Sequence, residues 1–102
     1  MKVFWTKFSL NSLFEIYRYY KDNVSDTVAN NIRNEVLSSA KQLTNHPTSG
    51  QIEESLADLG KGHRYIIRGN YKIIYKILNQ KLYITDVFDT RQNPEKIATR
   101  NK

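Results

Sequence analysis

His63-Arg64-Tyr65-Ile66-Ile67-Arg68-Gly69-Asn70-Tyr71-Lys72-Ile73-Ile74-Tyr75-Lys76-Ile77-Leu78 is the stretch that decides the fold. Tyr71, Ile73, Tyr75 and Ile77 alternate with Lys72, Ile74 and Lys76, and before the turn Tyr65 and Ile67 alternate with Arg64, Ile66 and Arg68. A period of two on both sides of a Gly-Asn pair predicts a β-hairpin. Lys81–Phe88 repeats the pattern after Asn79-Gln80, so three strands are expected, over His63–Arg68, Tyr71–Leu78 and Lys81–Phe88. Register follows from the hydrophobic pattern. A three-residue loop, Arg68-Gly69-Asn70, would gather Tyr65, Ile67, Tyr71, Ile73 and Tyr75 on one face and leave Arg64 and Lys72 together on the other. A two-residue Gly69-Asn70 loop would set Arg64 opposite Tyr75 and mix the faces. The three-residue loop is the expectation.

Upstream the period changes. Leu10, Leu13, Phe14, Tyr17 and Tyr20 (or Ile16) recur at three- and four-residue spacing within Ser9–Asn23, and Val28, Ile32, Val36, Ala40 and Leu43 do so within Thr27–Asn45. Two amphipathic helices are predicted, the second capped by Ser25 and ended by Asn45-His46-Pro47. Val3-Phe4-Trp5-Thr6 reads as an initial short strand. Gly50, Gly60 and Gly62 break up the segment 48–62, where Ile52, Leu56 and Leu59 would pin a short irregular helix. Pro94 suits the first turn of a terminal helix. The reading is an α+β fold: an N-terminal β-strand, an antiparallel helical hairpin, then a three-stranded antiparallel β-meander.

The chain's 102 residues fit a single domain, 1–102. The absence of cysteine excludes a disulfide scaffold, a thiol nucleophile and Cys-based metal sites. No apolar run nears the roughly 20 residues of a membrane helix, and MKVFWTKFSL has polar breaks too early for a signal peptide. A soluble, cytoplasmic protein without cofactor or metal is expected. Its net charge of +6 is unevenly placed. Residues 1–59 hold six Lys/Arg against seven Asp/Glu, whereas residues 60–102 hold ten against three. The basic half suggests a surface facing a polyanion.

The run Gly62-His63-Arg64-Tyr65-Ile66-Ile67-Arg68-Gly69-Asn70-Tyr71-Lys72-Ile73-Ile74-Tyr75, followed by Val87-Phe88-Asp89-Thr90-Arg91, resembles the RelE/ParE toxins of bacterial type II toxin–antitoxin systems. The helical hairpin and His46-Pro47-Thr48-Ser49-Gly50 extend the resemblance over nearly the whole chain. It implies a growth-inhibiting toxin silenced by a cognate antitoxin, here expected to be acidic, which would complement the basic half. RelE-like members cut mRNA on the ribosome; ParE-like members inhibit DNA gyrase without catalytic residues of their own.

Cleavage would need a base for the 2′-OH, an acid for the leaving 5′-oxygen and cations for the transition-state charge. By resemblance, Arg64 and Lys72 match the strand residues of the RelE-like site and Arg91 the arginine after the last strand, with His63 as a group able to titrate near neutrality. Lys72 stands where that pattern has arginine, which removes the two-pronged contact to phosphate. Ile97 replaces a tyrosine of the pattern and Ile66 a lysine. Arg68, Lys76 and Lys61 complete the expected nucleic-acid-binding set. Three readings stay open: a ribosome-dependent mRNA endonuclease, a gyrase inhibitor, and a basic RNA-binding module that is no toxin.

Overall fold

A computed structural model describes residues 1–102. Its elements are β1 (Lys2–Trp5), α1 (Lys7–Asn23), α2 (Asp26–Gln42), β2 (Gln51–Ile52), a 3-10 helix (Glu54–Leu59), β3 (Arg64–Arg68), β4 (Tyr71–Leu78), β5 (Lys81–Asp89) and α3 (Glu95–Asn101). The α+β order expected from sequence is present. Two strands extend the meander into a five-stranded sheet of order β1-β5-β4-β3-β2, with β1 parallel to β5 and the other pairs antiparallel.

Local chemistry sets the helix ends. The Thr6 hydroxyl accepts from Ser9 N at 3.1 Å and the Ser25 hydroxyl from Val28 N at 3.1 Å, each satisfying a backbone donor that the first helical turn leaves free. Only Val24 and Ser25 separate α1 from α2, so the helices fold back on each other. Their inner faces cover the sheet. Leu13, Val36, Ala40 and Leu43 pack on Tyr71, Ile73, Tyr75, Leu82, Ile84 and Val87, with Val3 and Trp5 at the margin.

The hairpin register corrects the sequence expectation. Arg68 pairs with Tyr71 and Arg64 with Tyr75, so the turn is the two-residue Gly69-Asn70, with Gly69 at φ +56° as a tight II′-type turn requires. Ile66, not Ile67, therefore faces the helices, and Ile67 is 45% exposed. Arg64 and Lys72 project from opposite faces instead of sharing one. Mixing the faces is tolerated because the two arginines sit at the ends of the β3 row. Arg64 there reaches backbone carbonyls of the loop before β2, and Arg68 bonds the Ile67 carbonyl.

The second face is not bare throughout. A β-bulge between Ile74/Tyr75 and Asp86/Ile84 leaves Thr85 without a register partner on β4, its hydroxyl donating to Ile74 O, and turns Phe88 away from α1 and α2. Ile74 and Phe88 then form a second, smaller core with Leu56 of the 3-10 helix and Ile97 of α3. Asp86, fully buried, ties this layer to the first by accepting from Ser12 (3.2 Å), Arg100 (2.7 Å) and Asn101 (2.9 Å). Ile97 is thus a core residue, which accounts for an apolar side chain at that position.

Candidate functional site

Arg91 lies two residues beyond the end of β5 and is held by its surroundings. Its Nε and NH2 make a two-pronged pair with Asp89 at 2.9 and 2.8 Å, and NH2 donates to the Tyr20 hydroxyl at 3.2 Å. Tyr20 also accepts from the Tyr71 hydroxyl at 3.0 Å. Bonds from Tyr71 and Arg91 lower the Tyr20 pKa, while burial raises that of Tyr71. The bond from Arg91 holds the Asp89 carboxyl below the usual carboxylate range. These groups line a cleft of about 420 Å³ between α1 and the end of β5, together with Glu15, Tyr19 and Gln92. Sequence periodicity put Tyr20 in the apolar stripe of α1; the Asp89-Thr90-Arg91 spacing was the available signal for the ion pair.

The other expected site residues lie elsewhere. Arg64, on the helix side, donates to Gly50 O at 2.8 Å and Thr48 O at 3.2 Å. The same loop is held by Tyr75, whose hydroxyl donates to Pro47 O at 2.8 Å and accepts from Gly50 N at 3.0 Å. Gly50 is required by that approach: a Cβ there would sit 2.5 Å from the Tyr75 oxygen and 2.8 Å from Tyr65 O. Lys72, on the opposite face, pairs with Glu53 at 2.8 Å and lies 4.1 Å over the Tyr65 ring. Burial works to raise the Glu53 carboxyl, but bonds from Lys72 and Ser55 outweigh it and hold it below the usual range.

His63 is buried on the Lys72 face, and its Nδ1 has no hydrogen-bond partner. Burial, then the charges of Lys76 and Lys61, keep its pKa below the ordinary histidine value. Arg68, in the row Arg68–Tyr71–Asp89, lies at the Arg91 end of the helix side. The seven residues therefore divide. Arg91 and Arg68 stand at one end of the helix side, His63, Lys72, Lys76 and Lys61 gather across the opposite face, and Arg64 binds its loop. No three His, Asp or Glu side chains are grouped so as to hold a metal ion.

The outer surface of the helical hairpin adds a groove of about 270 Å³ lined by Leu10, Leu13, Phe14, Tyr17, Leu37 and Arg33. Phe14 is 59% and Leu10 48% exposed, an unusual density of free apolar side chains for a chain this small.

A family model described as the ParE toxin of the type II toxin–antitoxin system parDE matches residues 3–94. The chain belongs to the ParE toxin family. No curated protein sequence matches this ParE-family chain. In structure it is similar to a chain of the chromosomal ParDE toxin–antitoxin system from P. aeruginosa, with a TM-score of 0.71 and 15% identity. That similarity covers 87% of this chain and 95% of the other, and at such identity it is a likeness of fold. The resemblance drawn from the β-hairpin and the Asp89-Thr90-Arg91 ending is borne out, and the non-toxin reading gives way. As a ParE-type toxin of a type II system, the chain has a cognate antitoxin as its partner. No helix is long and apolar enough to cross a membrane.

Proposed function

We propose that this toxin acts by binding and blocking its target, DNA gyrase, without cutting RNA. One observation carries the reading: Arg64 and Lys72 leave the sheet on opposite faces, each already engaged within the fold. An RNA-cleaving site needs cations converging on one phosphate and an acid–base pair beside them. Arg91 is on the side away from Lys72, and His63 is buried on the side away from Arg91. The Arg91 cleft, with its fixed guanidinium and tyrosine hydroxyls, suits recognition of a protein surface better than proton transfer.

The test offers the purified chain to gyrase with relaxed plasmid and, separately, to translating ribosomes. Loss of supercoiling with intact mRNA is expected, and Arg91→Ala should weaken the inhibition. Codon-phased mRNA cuts that vanish in Arg91→Ala would overturn the reading in favour of a nuclease.

The cognate antitoxin, in this reading, lays an amphipathic segment into the Leu10–Phe14–Leu37 groove. Arg33, 4.7 Å over the Tyr17 ring, and Lys21 nearby favour an acidic rim on that segment. Phe14→Asp should abolish co-purification with the antitoxin while leaving the toxin folded. Unchanged co-purification would place the antitoxin elsewhere.

A further inference from the structure

The 3-10 helix and α3 cover the second face of the sheet only around Ile74 and Phe88. The other end of that face is uncovered, and its composition is distinctive. Lys2 pairs with Lys81, Phe4 with Tyr83, and Tyr83 with Lys76, which places all five on one side of three adjacent strands. The contacts agree with the register. The Phe4 and Tyr83 rings stack at 5.5 Å and 27°, and Lys81 Nζ lies 5.6 Å over the Phe4 ring.

The row continues on β3. His63 precedes Arg64, whose partner Tyr75 precedes Lys76, so His63 and Lys76 are neighbours across the strands. Lys61 follows in the Gly60-Lys61-Gly62 turn, where both glycines have positive φ. None of Lys2, Lys61, Lys76 and Lys81 forms an ion pair, in contrast to Lys72 on the same face.

We propose that this face binds single-stranded nucleic acid, with bases stacked against Phe4 and Tyr83 and phosphates held by Lys2, Lys61, Lys76 and Lys81. Unpaired lysines select a polyanion, and the exposed Phe4 ring with the half-buried Tyr83 ring stacked beside it selects one with free base faces. An acidic protein segment would use the lysines but not the rings. A duplex hides its base faces and would meet only the lysines. The surface lies across the sheet from Arg91 and from the helical groove, so the inference does not rest on gyrase being the target.

The experiment is fluorescence anisotropy of the full chain with labelled oligothymidylate and oligouridylate of about 12 nucleotides, against a duplex of the same length and inorganic polyphosphate. Saturable binding to either single strand is expected, tighter than to the duplex. The double substitution Lys76→Ala with Lys81→Ala should weaken it about tenfold or more and flatten the log Kd against log salt slope by about 0.7 per lysine. Phe4→Leu should weaken it about fivefold or more, with the salt slope unchanged. Arg68→Ala, at the far end of the sheet, should bind like the parent chain. The proposal is overturned by no saturable binding at about 50 mM salt, or by a double lysine variant that binds as well as the parent. Polyphosphate or duplex bound as tightly as single strands, with Phe4→Leu without effect, would also overturn it, since only a charged patch would remain.

Discussion

The two faces of this one sheet use similar residues for different ends. On the helix side, ten buried residues form a continuous core, and the polar groups at its ends, Arg64, Tyr75 and Arg91, are all bonded within the fold. On the other side, four buried residues suffice for one end, Lys72 is neutralised by Glu53, and the strand lysines Lys2, Lys76 and Lys81 form no ion pair. Lysine in a strand therefore carries no fixed meaning. What matters is whether a carboxylate has been buried beside it, since a buried carboxylate without its partner is costly.

The comparison can be broken at several points. Ile73→Ala, at the centre of the helix-side core, should cost about 3–4 kcal/mol in denaturant unfolding, more than Ile97→Ala on the thinner layer. Equal losses would mean that the two cores contribute alike. Lys72→Ala should cost about 3 kcal/mol because it strands the Glu53 carboxylate, whose side chain is 6% exposed. Tyr75→Phe, which leaves Gly50 N and Pro47 O without their partner, should cost about 1–2 kcal/mol. Lys76→Ala and Lys81→Ala should leave the unfolding midpoint where it is. A large loss at Lys76 would erase the distinction between paired and free lysines.

Acid should unfold the second face in two stages. His63 is held below its ordinary value, so the unfolded chain takes up a proton first, and stability is lost as pH falls below about 6.5. The depressed Glu53 carboxyl contributes stability that is present above about pH 4.3 and lost as pH falls through its folded value. His63→Gln should remove the upper stage and keep the lower one, measured by unfolding free energy against pH.

Much of the fold was legible because its signals are local. The helical stripes, the Ser25 cap, the three meander strands and the terminal helix after Pro94 all follow from spacing and turn chemistry within a few residues. The Thr6 cap started α1 two residues before the Ser9 suggested by the stripe. The parallel pairing of β1 with β5 was not legible, because it joins segments about 80 residues apart. The hairpin register departs from the apolar pattern for a different reason. Charges share the core-facing row because Arg64 at its end finds carbonyls and Arg68 lies beside the turn.

The candidate site divides in the same way. Residue types, their order and the basic half were in the sequence, and they sufficed to identify the toxin family. Their directions were not. Side-chain period in a strand is two, so one residue in a turn decides whether Arg64 and Lys72 stand together or apart, and the two-residue turn set them apart. Sequence alone determined which charges the chain carries; tertiary structure decided which are engaged, by burying Glu53 beside Lys72, wrapping Asp89 around Arg91 and leaving Lys76 and Lys81 without a carboxylate.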